Sequence, residues 1–162
     1  MFVYSIRAST VKFLAFVLLS AVLLIGVAAL GDGAVVFASG SGDGIDYSGI
    51  KDNEDRVKFI ESFGIEVEDE AAEEKSFKIP DNLDRVILGY NELQKKQGLD
   101  LSKYTKKKVT RYTYKVTNYR SDEEVYASLF VYRNKIVACD LASASPDGFV
   151  IPLTLVDRAN LK

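Results

Sequence analysis

The sequence predicts an α+β protein: one N-terminal transmembrane helix, then a small domain with two helices packed on an antiparallel β-meander of about three to five strands. Three observations predict this class. Residues 13–30 form an uncharged apolar run, two later segments repeat their apolar residues with a helical period, and from Lys106 onward the period changes to two. Because short turns join the later strands, we expect them to pair in chain order, with both helices covering one face of the sheet.

The apolar run has the properties of a membrane anchor. At about 1.5 Å per residue its helix reaches roughly 27 Å, close to the hydrocarbon thickness of a bilayer. Arg7 and Lys12 precede the run and Asp32 follows it, which predicts that residues 1–12 are cytoplasmic and the rest lies outside. The alternative is a cleaved signal peptide. Signal cores usually have about 7–15 apolar residues, so a retained anchor at residues 13–31 is favoured.

The rest of the chain divides into a linker, a domain and a tail. Residues 32–49 are rich in glycine, which is typical of a flexible linker. Residues 50–156 are predicted to form one extracytoplasmic α+β domain, and residues 157–162 a tail. A domain of this length is an ordinary folding unit.

The first helix is predicted over residues 53–63. Asp52 is a suitable N-cap and Gly64 a suitable stop after the last turn. Residues 65–68 and 77–79 then alternate in polarity, so we expect a hairpin around an acidic loop. Such a loop is far more often solvated than a cation site.

The second helix is predicted to begin at Pro80 and Asp81 and to end at Gly98. One edge of this helix carries polar side chains, which either line a groove or cap backbone groups of the connector that follows. These side chains belong to Tyr90, Asn91 and Gln94.

Three strands joined by turns follow the second helix. They are predicted over residues 106–118, 125–132 and 135–142, and a final edge strand over residues 149–155. The pair Arg133-Asn134 predicts a tight turn, since asparagine tolerates a positive φ.

The first of these strands is dense in tyrosine and in basic residues. Its alternation predicts that Tyr112 and Tyr114 face the core and that Val109, Arg111 and Thr113 face solvent. Basic residues beside aromatic ones can hold single-stranded nucleic acid. For a domain outside the cytoplasm, an anionic surface polymer or lipid head group is the better candidate, and a plain solvated strand face is favoured over both.

Composition excludes several classes of site. The chain has 162 residues, no histidine and one cysteine, Cys139. Without histidine there is no Ser–His or Cys–His nucleophilic site, and one thiol makes neither an intrachain disulfide nor a zinc site of several thiolates. Cys139 is predicted to be a small buried hydrophobic residue. We expect no metal and no cofactor, and the net charge of -2 gives no drive toward nucleic acid.

Short motifs occur in a fixed order along the domain. With Asp55-Arg56-Val57, Tyr90-Asn91-Glu92-Leu93-Gln94, Val116-Thr117-Asn118-Tyr119 and Asp147-Gly148-Phe149, residues 50–153 resemble the domain of unknown function 4830 family. The resemblance implies a single small domain in a clostridial or related Gram-positive protein with an N-terminal membrane segment. It implies no activity and no site residues. In one departure, Lys106-Lys107 stands where the family pattern leads us to expect a glycine.

The leading hypothesis is a membrane-tethered extracytoplasmic binding module of the cell envelope, without a catalytic role. Its expected partner is another envelope protein or an anionic surface polymer, and not nucleic acid. A binding groove is predicted where the edge of the second helix meets the end of the first meander strand, at Tyr90, Asn91, Gln94, Asn118 and Tyr119.

Two alternatives stay open. A small carboxylate-dependent envelope enzyme would use Asp140 and Asp147, and it requires both carboxyl groups to converge in one pocket. A structural accessory subunit of a membrane complex would expose an apolar patch on the folded domain.

Overall fold

The structure, a computed structural model, describes residues 44–145 and 147–162. The predicted cytoplasmic segment at 1–12, the predicted anchor at 13–31 and most of the predicted linker lie outside the described residues. No helix within the described ranges has the length and hydropathy to span a bilayer.

The described chain confirms the α+β class, with two α-helices and one five-stranded antiparallel sheet. Each strand pairs with the next in chain order, so the predicted meander has five strands, and Pro152 lies in an edge strand as predicted. The helices are α1 (Asn53–Glu61) and α2 (Arg85–Lys95). The strands are β1 (Glu73–Lys78), β2 (Lys108–Lys115), β3 (Val125–Tyr132), β4 (Lys135–Ser143) and β5 (Val150–Pro152), with short 3-10 helices at Leu101–Tyr104, Leu153–Leu155 and Arg158–Asn160.

α1 begins where the sequence predicts. The side chain of Asp52 accepts a hydrogen bond from the backbone N–H of Asp55 at 3.0 Å, which satisfies one of the free N–H groups of the first turn. The chain then turns at Gly64, whose φ of 83° favours a residue without Cβ. Upstream of α1, the ring of Tyr47 packs against that of Phe59 with centroids 5.9 Å apart. Folded contacts therefore begin just before the predicted start of the domain.

The predicted hairpin between residues 65–68 and 77–79 is wrong. Val67 instead forms an antiparallel bridge with Val116, just beyond the end of β2. β1 pairs with the same edge of β2, so both segments extend the sheet from that edge. Alternating polarity indicates that a strand has one buried face, but it does not say which neighbour the strand pairs with.

The first face of the sheet is covered by α1. Ile60 of α1 is fully buried in a core cluster with Tyr114 and Leu129. The hydroxyl of Tyr114 also accepts a hydrogen bond from Nε of Arg56 at 2.7 Å. The prediction that Tyr114 faces the core is therefore confirmed.

The second face is covered by α2, so the prediction that both helices share one face is wrong. Tyr90 of α2 packs against a cluster that includes Val109 and Ala138. The predicted solvent exposure of Val109, Arg111 and Thr113 is also wrong, because these residues are only 1%, 5% and 1% exposed. A charged residue in a strand usually indicates solvent. Here the charged residue, Arg111, lies beneath α2.

α2 begins later than predicted. Its N-cap is Asp84, which accepts a hydrogen bond from the backbone N–H of Ile87 at 2.9 Å. Asp81 lies before the helix and forms an ion pair with Lys106. Ile79 still donates its N–H to the carbonyl oxygen of Lys107 at 3.0 Å, so the chain remains hydrogen-bonded to the sheet as far as this residue.

Two turns require left-handed backbone at residues other than glycine. Arg133 and Asn134 have φ values of 47° and 59°, which confirms the predicted tight turn and matches the twist of a two-residue hairpin loop. Lys106 has a φ of 64°. Lys106 is one of the two residues that stand where the resemblance leads us to expect a glycine, and glycine adopts a positive φ without steric cost.

Candidate functional site

A cavity of about 430 Å³ lies between α2 and the sheet face that this helix covers. Its volume is within the range of roughly 300–1,000 Å³ that is typical of small-molecule sites. Most of the wall is apolar, whereas the strands contribute charged and hydroxyl groups. The lining residues are Lys75, Phe77, Ile79, Pro80, Asp84, Val86, Ile87, Tyr90, Leu101, Arg111, Ser128, Phe130 and Asp140.

Strand register gathers the polar side chains on the sheet side of the cavity. Glu73 on β1 lies opposite Thr113 on β2, Thr113 lies opposite Ser128 on β3, and Ser128 lies opposite Asp140 on β4. Arg111 points to the same face as Thr113, because residues two apart on a strand share a face. A row of polar groups therefore crosses a face that a helix covers, where apolar side chains are the usual choice.

Asp140 is the most deeply buried carboxyl of this row, at 2% exposure. Its Oδ2 accepts a hydrogen bond from the hydroxyl of Tyr90 at 2.5 Å. Its Oδ1 has no hydrogen-bond partner among the described residues. Burial raises the pKa of Asp140 to about 6, although the bond from Tyr90 and the positive charge of Arg111 act in the opposite direction.

Arg111 supplies the positive charge of the site. One guanidinium nitrogen forms an ion pair with a carboxylate oxygen of Glu73, and both side chains are largely buried. The Nε–H of Arg111 and the hydroxyl of Thr113 find no partner in the described part of the chain. Among the described residues that line the cavity, Arg111 thus has one unpaired donor and Asp140 one unpaired acceptor.

Unused polar atoms of this kind are costly. Leaving a buried donor or acceptor unsatisfied costs about 1–3 kcal/mol, and most buried polar groups in native proteins are paired. The unpaired atoms of Arg111 and Asp140 belong to residues that line a cavity of ligand size. Buried polar groups that reduce stability are characteristic of binding and catalytic sites.

Of the predicted groove residues, Tyr90 lines this cavity and Asn91 does not. The side-chain oxygen of Asn91 accepts from the backbone N–H of Leu101 at 2.7 Å, and its amide donates to Oδ1 of Asp100 at 2.9 Å. These hydrogen bonds hold the connector between α2 and β2 against α2. The alternative that the polar helix edge caps the connector is confirmed for Asn91.

Gln94 completes the backbone hydrogen bonding of β4. Its Oε1 accepts from the backbone N–H of Cys139 at 2.9 Å, and Nε2 of Gln97 donates to the carbonyl oxygen of Cys139 at 2.6 Å. β5 pairs with β4 only from Asp140 to Ala142. β5 does not extend as far as Cys139. The two glutamines therefore supply the backbone hydrogen bonds that a neighbouring strand would otherwise make there.

Asn118 and Tyr119 lie away from this cavity. Asn118 accepts from the backbone N–H of Glu66 and donates to the carbonyl oxygen of Gly64, each at 2.9 Å. The ring of Tyr119 packs against Phe149 and belongs with the core on the α1 side. The structure therefore does not bring these two residues together with Tyr90 in one groove.

The two carboxylates of the enzyme hypothesis are also separate. Asp147 is exposed in the turn between β4 and β5 and is not part of the lining that contains Asp140. Cys139 is buried, as predicted, and burial raises the pKa of its thiol well above the usual range.

The basic residues of β2 and of the segment just before it lie in different environments. Arg111 lies inside, Lys106 pairs with Asp81, and Lys115 pairs with Glu124. Lys108 lines a shallow polar depression of about 250 Å³. Its other basic lining residues are Lys51, Arg56 and Arg133, and no carboxylate of the described ranges lines it.

Together these features define a class: a small α+β domain with one helix on each face of an antiparallel meander and a ligand-sized cavity beneath the second helix. The chain belongs to the family described as domain of unknown function DUF4830, which matches residues 59–141. The matched range runs from α1 to β4 and includes every polar residue of the row from Glu73 to Asp140. Neither a curated protein nor a solved structure matches the chain significantly.

The sequence interpretation missed the role of Arg111, Ser128 and Glu73. A usable signal was present: Asp140 stands in an otherwise apolar strand, and a lone carboxyl there requires a partner or a function. The hydrogen-bond partner of Asp140 is Tyr90 of α2, and the nearby positive charge is Arg111 of β2; the sequence does not show that these elements meet.

Proposed function

We propose that this protein is a membrane-tethered extracytoplasmic binding module of the cell envelope and that its ligand occupies the cavity beneath α2. One observation carries the binding role: a largely apolar cavity of about 430 Å³ lies beneath α2, and its lining includes Arg111 and Asp140, each of which has a buried polar atom without a partner among the described residues. The tether and the location rest on the apolar run at residues 13–30 and on the charges that flank it.

Filling the cavity tests the binding role. In Ile87→Trp, a large ring replaces a side chain that lines the cavity, so ligand binding to the full chain is expected to be lost. Leu88→Trp is the matched control, because Leu88 is the next residue of α2 and is exposed. Saturation-transfer NMR with a library of small amphiphilic fragments measures the outcome. Equal fragment binding by both variants contradicts the proposal.

Fractionation tests the tether. We expect the full-length chain to resist alkaline extraction from membranes, to keep residues 1–31 by mass spectrometry, and to be cut by protease added outside the cell. A shortened chain released into the medium would show that the apolar run is a cleaved signal peptide. The cavity proposal does not depend on that result.

The basic depression favours a second candidate function, binding of an anionic surface polymer. Four basic residues line it, and no carboxylate from the described part of the chain does; they are Lys51, Arg56, Lys108 and Arg133. Clustered cations attract polyanions in a salt-dependent way. Lys108→Glu with Arg133→Glu is expected to abolish retention on immobilised polyglycerol phosphate at low salt. Lys95→Glu on α2 changes one charge away from the depression and should retain binding. Unchanged retention of the double variant contradicts this function.

A further inference from the structure

We infer that the cavity beneath α2 binds a small quaternary ammonium compound; this inference rests on the proposed binding role of the same cavity. Three features carry it: an excess of negative charge beside the cavity, three aromatic rings in its wall, and the burial of the unpaired carboxylate oxygen.

The buried charges beside the cavity include one more carboxylate than cation. Arg111 forms an ion pair with Glu73, and its positive charge also acts on Asp140. The pKa of Asp140 is about 6, so this carboxyl is ionised at pH 7.5. One guanidinium therefore balances only one of the two carboxylates. A ligand cation supplies the missing positive charge in a place where water screens it little.

The other charged and titratable groups around the cavity leave this excess in place. Lys75 on β1 and Asp84 on α2 also line the cavity, one of each sign, and both are in contact with solvent. Burial raises the pKa of the Tyr90 hydroxyl well above its ordinary value, so this group is neutral. The cavity thus favours a cation over a neutral or an anionic ligand.

Three aromatic rings from three elements line the same cavity. The ring centroid of Phe130 on β3 lies 5.9 Å from that of Phe77 on β1 and 5.8 Å from that of Tyr90 on α2. The faces of aromatic rings attract cations, and groups of such rings are the usual recognition elements for quaternary ammonium ligands. The remaining apolar lining, which suits N-methyl groups, consists of Ile79, Pro80, Val86, Ile87 and Leu101.

The burial of the unpaired oxygen favours a quaternary over a primary ammonium. Oδ1 of Asp140 has no partner among the described residues and is covered by protein atoms, so its charge acts on a ligand through space and not through a hydrogen bond. A primary ammonium has three N–H donors, and it loses their hydrogen bonds to water when it enters an apolar cavity. A quaternary ammonium has no N–H group and avoids this loss.

Three probes that share a hydroxyethyl group test the inference: choline, ethanolamine and 3,3-dimethylbutan-1-ol. The alcohol has the shape of choline with carbon in place of the charged nitrogen. Each is titrated at pH 7.5 into the full chain in non-ionic detergent micelles, and Ile87→Trp measures the background. We expect choline to bind at least about tenfold more tightly than the other two. If ethanolamine or the alcohol binds equally well or better, the quaternary ammonium assignment is overturned and the binding role stands. If none of the three exceeds the background, both fall.

Asp140→Asn tests the source of the charge preference. The preference for choline over the alcohol is expected to fall by at least about fivefold in this variant, and by a similar factor in the natural protein at pH 5, where Asp140 is largely protonated. Asp84→Asn is the matched control: it makes the same chemical change at an exposed carboxyl of the lining and should keep the preference and its pH dependence. An unchanged preference in Asp140→Asn, or an equal loss in Asp84→Asn, would show that the buried carboxylate does not select the cation.

Discussion

The hydroxyl of Tyr90 donates a hydrogen bond of 2.5 Å to Oδ2 of Asp140, and this bond joins α2 to β4 across the cavity. It satisfies one oxygen of the carboxyl and leaves Oδ1 without a partner among the described residues. The same burial raises the pKa of the Tyr90 hydroxyl well above its ordinary value, so this group stays a donor at all ordinary pH values. A fixed donor on the helix therefore orients the carboxyl of the strand.

Asp140→Asn is expected to stabilise the protein at neutral pH. The pKa of Asp140 is raised from 3.8 to about 6 in the folded state, so between these values the folded state binds more protons than the unfolded state. The contribution of Asp140 to the free energy of unfolding therefore falls as pH rises through this window. A shift of this size corresponds to about 3 kcal/mol.

Urea unfolding at several pH values measures this effect. At pH 7.5 the Asp140→Asn variant is expected to gain up to about 3 kcal/mol in free energy of unfolding, less whatever the new amide group loses by burial. At pH 4 the difference between the two proteins is expected to become small. A variant that is less stable at pH 7.5, or a difference that does not change with pH, contradicts the assignment of a raised pKa.

Tyr90→Phe is expected to raise the pKa of Asp140 further. The lost hydroxyl is the donor that favours the ionised carboxyl, while the ring that packs against Phe130 is retained. Titration of the Asp140 carboxyl carbon by NMR measures the change. Tyr104→Phe is the control, since the ring of Tyr104 contacts that of Tyr132 and its residue does not line the cavity. A lower pKa in Tyr90→Phe contradicts the role of this bond.

Asn91→Ala is expected to destabilise the domain by about 2–3 kcal/mol. The substitution removes the acceptor of the buried Leu101 N–H and the donor to Asp100, and a buried group left unsatisfied costs about 1–3 kcal/mol. Glu92→Ala is the matched control, since Glu92 is the exposed neighbour and its ion pair with Lys95 lies in solvent. Such pairs contribute about 0–1 kcal/mol. Equal losses in the two variants, measured by urea unfolding, would show that Asn91 has no special role.

Lys106→Gly is expected to stabilise the domain by about 0.5–1 kcal/mol, because glycine adopts a φ of 64° without the steric cost that lysine carries. The exposed ion pair with Asp81 is lost at little cost. Lys107→Gly should destabilise by about 0.5–1 kcal/mol, since glycine only adds flexibility to the unfolded chain there. Thermal unfolding distinguishes the two. A lower Tm for Lys106→Gly would show that the backbone at this residue is not strained.

Tyr90 and Asp140 show how far the candidate site was accessible from sequence. Each was singled out, Tyr90 for a polar helix edge and Asp140 as a candidate catalytic carboxylate with Asp147, but for different sites. They are 50 residues apart in the chain, and only the packing of α2 on the second face makes them partners. The predicted groove joined Asn118 to Tyr90, where the helix edge was expected to meet the end of the first meander strand, yet the hydrogen bonds of Asn118 reach Gly64 and Glu66.

Local patterns in the sequence determined the α+β class, the cap at Asp52, the turn at Arg133 and Asn134, and the order of the meander strands. These features depend on groups close together in the chain, so spacing and turn chemistry are enough to predict them. Tertiary structure alone decided that α1 and α2 take opposite faces. That choice depends on burial of both sheet faces and on pairing between distant strands. It placed Arg111 inside the protein and formed the cavity that Asp140 lines, and one oxygen of Asp140 is left unpaired among the described residues.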